Sequence, residues 1–404
     1  MRILFINSVC GQGSTGRIVT GLLNMLRQNG DDGKIFFGVG EAVGVSNGDA
    51  VKINSKLGYI IHNALAKITD HTGLYSSRQT RKLIEFIKDY KPDIIHIHNL
   101  HGYYINYKIL FEFLKESSIP VVWTLHDCWS FTGHCAHFVS ESCTQWQTQC
   151  KSCKAMRGYP VCYTRGDVSF NYLTKKNSFT SVKNMYITTP SSWLADNVRK
   201  SFLSKYPIYT INNGIDTSIF KPTKSDIRKR LGLSDKKIVL GVSGVWSDAK
   251  GLSDIYELSR MLDSSYKVVI VGLSDEQMRS IPKGVSVCAI SRTSSQQELA
   301  GIYSEADVFV NPTYEDTFPT VNLEALACGT YVVTYDTCGC PETLLNGFGT
   351  VVKTGDVKMM FNKVVSCCKN NIEQKSNIDY NNNVFSNALS YKRYIELYKE
   401  ILSN

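Results

Sequence analysis

Short apolar runs and amphipathic stretches alternate along the chain, and the alternation runs twice. Arg2–Ile6 predicts a buried strand. Gly11, Gly13 and Gly16 follow, then the helical spacing of Ile18, Leu22, Leu23, Met25 and Leu26, closed by Gly30. Lys34–Gly38 predicts a second strand. Residues 40–72 are weakly patterned, with a helix over Leu57–Ile68. The pattern then predicts a helix over Arg78–Tyr90, a strand over Ile94–Ile97, a helix through Ile109–Leu114 and a strand over Val121–Leu125. A helix over Asn171–Val182 and strands over Met185–Thr189 and Ile208–Ile211 complete the first series. Asn212–Pro222, rich in Gly, Asn and Pro, reads as a linker.

The second series begins with a strand over Ile238–Val242 and a helix over Leu252–Leu262. Strands over Val268–Gly272 and Val285–Ile290 follow, then a helix over Gln296–Tyr303 and a strand over Asp307–Asn311. Val321–Cys328 is helical and Gly329 closes it; Tyr331–Tyr335 and a glycine-rich segment ending at Val352 are strands. A helix starts near Asp356, Asn377–Asn387 is polar and loop-like, and a last helix covers Ala388–Ile401. Repeated strand–loop–helix units without a tandem repeat predict an α/β fold of two Rossmann-like domains facing each other across a cleft. The expected bounds are 1–220, carrying an insertion at 128–162, and 221–387, with the helix at 388–401 packing back on the first domain.

In open parallel sheets, ligands sit beyond the carboxyl ends of the strands. Two successive predicted strands end in His98 and His101, and in His126 and Asp127, so these side chains stand where chemistry is expected. The glycine loop at Gly13–Gly16 permits close approach of a ligand to the backbone, and Ser14 or Thr15 can cap the helix. It is not a phosphate-binding P-loop, because no G-K-[ST] follows, and the next strand ends without a ribose-binding acid, which argues against an NAD site. The most concentrated chemistry lies at Thr313–Gly329, T-Y-E-D-T-F-P-T-V-N-L-E-A-L-A-C-G. A helix start there offers free N–H groups and partial positive charge to a phosphate, and Pro319 suits the first turn. Asp316 and Glu324 flank that spot, and carboxylates suit sugar hydroxyls. The combination points to a nucleotide sugar.

Charge sharpens the division. Residues 1–220 hold 24 Lys and Arg against 15 Asp and Glu, a net of +9, whereas 221–404 hold 21 of each. The basic half is expected to face an anionic partner, such as a membrane leaflet or a lipid diphosphate. No stripe of interleaved basic and aromatic residues marks a nucleic-acid binder. No apolar run is long enough to span a bilayer, and the first residues lack the length of a signal peptide, so a cytoplasmic location is expected. Six of the 13 cysteines fall between Cys128 and Cys162. The spacing of Cys135, Cys143, Cys150 and Cys153 ends in a C-x-x-C pair, a candidate structural zinc site with His134 and His137 in reserve. Four thiols without a metal are the alternative.

These motifs together resemble glycosyltransferase family 4, the retaining nucleotide-sugar enzymes of GT-B fold, over nearly the whole chain. Asp316-x7-Glu324 followed by A-L-A-C-G stands in the place of the family's E-x7-E. N-N-G-I-D at Asn212–Asp216, Lys250-Gly251, G-C-P-E at Gly339–Glu342 and the glycine loop support it. More narrowly, G-S-T-G-R, H-N-L-H and W-T-L-H-D-C-W-S-F-T-G-H-C resemble bacterial polysaccharide-biosynthesis members of the colanic-acid type. The resemblance implies that Glu324 holds the donor ribose, Asp316 sits near the donor sugar, and Phe318, Pro319, Thr320, Val321 and Gly244 line the donor. It implies that Lys250 neutralises the diphosphate with no metal required, that His126 lies against the sugar, and that Gly13–Gly16 lies near the diphosphate and acceptor. Two positions depart from the family: the first acid is Asp316, with Glu315 beside it as a rival, and Val245 replaces a basic residue five positions before Lys250. A nucleotide-sugar epimerase and a zinc-containing binding protein without catalysis are the other functions this sequence admits.

Overall fold

The computed structural model describes residues 1–344, 348–369 and 386–403. The chain divides into two compact units, Met1–Asn212 with Ser390–Asn404, and Asn213–Leu389. The change-over thus lies at Asn212/Asn213, at the start of the segment read as a linker. The polar 377–387 stretch falls mostly outside the described residues.

In the first unit, β1 (Arg2–Asn7), β2 (Asp32–Phe37), β3 (Ala50–Lys52), β4 (Ile94–Ile97), β5 (Val121–Thr124), β6 (Met185–Thr189) and β7 (Ile208–Thr210) form one sheet in the order β3-β2-β1-β4-β5-β6-β7. Every pairing is parallel; β1 runs from Arg2 opposite Asp32 to Asn7 opposite Phe37, and pairs on its other side with β4. Parallel strands covered on both faces read as continuous apolar runs, and β1, β4 and β5 do so because alternate residues serve two cores. Leu4, Ile6, Ile95, Ile97 and Trp123 face one core. Ile3, Phe5, Ile94 and Val122 face the other, which the returning helix Asn387–Ser403 covers with Tyr391, Tyr394, Ile395, Tyr398 and Ile401. Gly21 on the helix Gly13–Gln28 makes room for that return, since a Cβ there would stand 2.3 Å from the Tyr391 hydroxyl.

In the second unit, β8 (Lys237–Val242), β9 (Tyr266–Val271), β10 (Val287–Ile290), β11 (Val308–Asn311), β12 (Val332–Tyr335) and β13 (Gly349–Val352) form a parallel sheet in the order β10-β9-β8-β11-β12-β13. Both sheets therefore reverse their winding beside their first strand, between β1 and β4 and between β8 and β11. A doubly wound sheet opens a crevice at such a reversal.

The 128–162 insertion is irregular, with two short 3-10 turns at Trp129–Phe131 and Gln145–Gln147. It is organised by aromatic packing: Trp146 lies 5.2 Å from Phe131 and 4.8 Å from Phe138, centroid to centroid. Lys175 is buried against it, donating to the Trp129 and Thr132 carbonyls at 2.7 and 3.1 Å, with its ammonium 3.7 Å from the Trp129 ring centroid. Among the described residues no three His, Cys, Asp or Glu side chains are gathered as a metal would need. Of the four cysteines proposed as zinc ligands, Cys135 and Cys153 are hydrogen-bonded to each other, and Cys150 lies near both Cys143 and Cys153. Cys135 and Cys150 are buried in the aromatic core, while Cys143 and Cys153 are only half-buried at its margin.

Candidate active site

The loop after β8 and the loop after β11 leave neighbouring strands at the reversal of the second sheet. Gly251 fixes how they meet. Its φ is +71°, and a Cβ there would stand 2.0 Å from the Pro312 carbonyl oxygen, so only glycine lets these loops approach. Tyr314 then donates its N–H to the Ala249 carbonyl. The result is that Lys250 Nζ reaches Asp316 Oδ2 at 2.7 Å and the Glu315 carbonyl at 3.1 Å. Burial works against the Lys250 charge, but the Asp316 carboxylate beside it outweighs burial and holds the ammonium above its ordinary value.

Asp316 is also tied at its other oxygen, since Phe318 N–H donates to Oδ1 at 3.1 Å. Of the residues expected to line the donor, Phe318 therefore already spends its N–H, and Pro319 has none. Thr320 and Val321, in the first turn of the helix Thr320–Ala327, remain as N–H groups without intrahelical partners. One turn further, Glu324 is buried at 6% exposure, and its Oε2 accepts from the Tyr303 hydroxyl at 3.1 Å. Burial and the Glu324 charge drive the Tyr303 phenol well above its ordinary value, so it stays a donor. Asn322 is locked by Asn311 and Thr343 at 2.8 Å each, which fixes the helix on β11. Gly244 lies exposed in the β8 loop beside Val245, which is 77% exposed.

The first unit gathers its candidates the same way, from the neighbouring strands β1, β4 and β5. His98 and His126 extend β4 and β5; their rings stack 5.2 Å apart, and His98 Nδ1 lies 2.9 Å from His126 Nε2. His101 Nε2 meets Asp127 Oδ2 at 2.7 Å and its Nδ1 meets the Tyr159 hydroxyl at 3.0 Å. Burial, with His96 and His126 nearby, drives His98 well below the usual imidazole range. Burial likewise lowers His126 to about 4, against the pull of Asp127. Burial alone would raise Asp127, but the His101 partner brings it down to about 2. The pair His98–His126 is therefore neutral at physiological pH, and His98 Nε2 is a buried nitrogen with no hydrogen-bond partner among the described residues.

Gly13–Gly16 forms the first turn of the helix Gly13–Gln28 instead of a loop ahead of it. Gln12 is the N-cap and no side chain caps the helix, so the expected role of Ser14 or Thr15 is not taken; both lie inside the first turn. No acidic residue occupies that turn, and the N–H groups stay available to an anion. Gly11 has its own constraint, φ +71° with a virtual Cβ 1.9 Å from the Val43 carbonyl. Sequence reading missed the two buried polar anchors, His96 and Tyr303. Their place on a strand and on a helix hid them, because each reads there as a core position.

A family model described as "Glycosyltransferase Family 4" matches residues 16–219, half of the chain. The chain belongs to glycosyltransferase family 4. A second model, "Glycosyl transferases group 1", matches residues 223–384, so the two matches fall on the two units in turn. The N,N'-diacetylbacillosaminyl-diphospho-undecaprenol alpha-1,3-N-acetylgalactosaminyltransferase of Campylobacter jejuni is 29% identical over 185 residues, 44% of this chain and 48% of that protein. WcaC of Escherichia coli (strain K12), named for colanic acid biosynthesis, is 25% identical over 279 residues, 66% of this chain and 65% of that one. The matches thus span less than two thirds of either relative. Among solved structures, sucrose-phosphate synthase from Thermosynechococcus elongatus superposes with a TM-score of 0.75 at 17% identity, covering 100% of this chain and 99% of the other. Anabaena Alr3699/HepE, solved in complex with UDP, gives 0.64 at 16% identity, covering 100% and 99%. At such identities the superpositions speak for the fold alone.

Proposed function

We propose that this protein is a retaining glycosyltransferase that moves a sugar from a nucleotide-sugar donor to a lipid-linked or oligosaccharide acceptor in cell-surface polysaccharide assembly. The observation that carries the reading is the cluster of Lys250, Asp316 and buried Glu324 around one helix start at the reversal of the second sheet. In this reading Glu324 accepts from the donor ribose hydroxyls, Thr320 and Val321 donate to the diphosphate, and Lys250 neutralises the charge that grows on the leaving phosphate. Fixed charge of this kind does its work without a metal. Asp316 orients Lys250 and lies near the donor sugar. The sugar C1–O bond to phosphate breaks, the acceptor oxygen bonds to C1 on the same face, and the acceptor proton passes to the departing phosphate oxygen.

Neutral His126 hydrogen-bonds a sugar hydroxyl in this scheme, held in orientation by His98. The open first turn at Gly13–Gly16 takes an anionic group of donor or acceptor. The undecaprenol-linked substrate named for the Campylobacter relative supports a lipid-linked acceptor, and HepE's complex with UDP supports a uridine donor. With a lipid-linked acceptor, the protein works at the cytoplasmic face of the membrane as a peripheral protein.

The test is a screen of nucleotide sugars against a bacterial lipid-extract acceptor, read by mass spectrometry. A hexose added to a lipid with release of nucleoside diphosphate is expected, and the anomeric configuration of the donor should persist in the product. An isomerised donor with no acceptor consumed would instead mark an epimerase. Nucleotide sugars that neither bind nor turn over would overturn the assignment of the cluster.

A further inference from the structure

The helix Lys56–Thr69 of the first unit is turned the wrong way round for a soluble surface. Leu57, Ile60, Ile61, Leu65 and Ile68 are between 38% and 66% exposed. Their spacing of three and four puts them on one stripe. The opposite side is fastened to the protein. His62 and Ala66 are buried there, His62 Nδ1 meets the Ser76 hydroxyl at 2.8 Å, and Gly73 N–H donates to His62 Nε2 at 3.3 Å. The last turn is strapped as well, because Tyr163 N–H and the Thr164 hydroxyl donate to the carbonyls of Lys67 and Ile68. The helix is thus held with its apolar stripe outward, and at 14 residues it presents roughly 20 Å of it.

What borders the stripe decides what covers it. Lys67 and Arg157 both stand over the ring of Tyr163, at 5.9 and 5.1 Å, and Tyr163 is itself 58% exposed. Lys56 heads the helix and Arg165 follows Thr164, both exposed. An apolar stripe with basic residues and an exposed tyrosine along its rim is the composition of a helix that lies in the headgroup region of an anionic bilayer. A second copy of the chain would bring the same four cations against themselves, in a half of the sequence already carrying a net +9.

We infer that the outward stripe of the 56–69 helix, rimmed by Lys67, Arg157, Arg165 and Tyr163, is a docking surface for anionic phospholipid membrane. The inference rests on the reading of a lipid-linked acceptor and gives that reading a place on the molecule. Leucine and isoleucine sink into the acyl boundary while the cations stay with the phosphates.

Flotation of the full chain with vesicles of phosphatidylglycerol and phosphatidylethanolamine tests it, with pure phosphatidylcholine vesicles as the neutral arm. Binding is expected to the anionic vesicles and to weaken with salt. The variant Leu57→Asn/Ile61→Asn/Ile68→Asn should keep its melting transition, since these side chains touch no core, and lose binding about tenfold or more. Lys67→Gln/Arg157→Gln should lose the preference for anionic over neutral vesicles. Donor cleavage with water as acceptor should be unchanged in both. Equal binding by wild type and the triple variant, or a stripe buried by self-association of the wild type in sedimentation, would overturn the proposal. Vesicle binding that needs the stripe, in a protein with no transfer activity at all, would sustain the surface and reject the enzymatic reading.

Discussion

The two sheets solve the same topological problem with opposite electrostatics. Each reverses its winding beside its first strand, and each sends its chemically distinctive residues from the carboxyl ends there. In the second unit that position holds formal charge: Lys250 against Asp316, and Glu324 one helical turn inside. In the first unit the neutral His98–His126 pair and an uncapped glycine turn stand there, and the carboxylate of Asp127 is taken up by His101. Fixed charge suits a group whose own charge changes during reaction, and neutral hydrogen-bonding groups suit one that must be gripped and let go. The contrast is what the proposed function requires of a charged leaving phosphate and of neutral sugar hydroxyls.

The sharpest way to break that division is to remove one member from each side. Lys250→Ala should lower kcat by about 10²- to 10³-fold, the scale of losing a fixed donor to a developing oxyanion. His126→Ala, which removes a neutral hydrogen bond, should cost about tenfold. Equal losses in steady-state kinetics would erase the contrast. Glu324→Ala should weaken donor binding by about 10- to 100-fold in calorimetry, and it also strands the Tyr303 hydroxyl. The double variant Glu324→Ala/Tyr303→Phe should recover stability but not affinity, separating packing from recognition.

Two smaller effects test the scaffold under each side. Gly251→Ala should destabilise the second unit by about 3 kcal/mol in urea unfolding, because a side chain there is strained at φ +71° and meets the Pro312 carbonyl. The first unit should instead respond to acid. His126 titrates near 6.5 when unfolded and at about 4 when folded, lowered chiefly by burial. Between those values the unfolded chain binds the extra proton, so its contribution is complete above about pH 6.5 and is lost as pH falls toward 4. By pH 5 the loss should reach about 2 kcal/mol, and His126→Gln should flatten that part of the stability profile.

Much of this frame is legible in the chain because parallel strands buried on both faces are written as short unbroken apolar runs. Ile94–Ile97, Met185–Thr189 and Val308–Asn311 read that way and stand as strands. Ala50–Lys52 does not: it is an edge strand of three half-exposed or exposed residues, with no buried face to impose a pattern. The helix start at Thr320 was legible from Pro319, but the Lys250–Asp316 bond was not, because it joins residues 66 apart through a loop approach that Gly251 alone permits. How the cysteines of the insertion pair was illegible for a related reason. Spacing records how thiols follow one another in the chain, whereas the pairing of Cys135 with Cys153 depends on how the irregular insertion folds around Phe131, Phe138 and Trp146. The cap at Ser14 or Thr15 failed because the chain turns into the helix at Gly13, whose φ of +64° suits glycine, so both hydroxyls already lie inside the first turn.

The helix at Asn387–Ser403 has a consequence in time. Tyr398 and Tyr394 reach the buried polar atoms of β4 and β5, with Tyr398 to His96 at 2.5 Å and Tyr394 to Thr124 at 3.2 Å. On the ribosome the first sheet is synthesised early, yet the part of one face that this helix covers stays open until the whole of Asn213–Leu389 has been made. At ordinary translation rates that is a wait of roughly 10 to 35 seconds. For that interval the nascent chain leaves His96 and Thr124 without their tyrosine partners beside an uncovered apolar seat, a natural target for a chaperone near the tunnel exit.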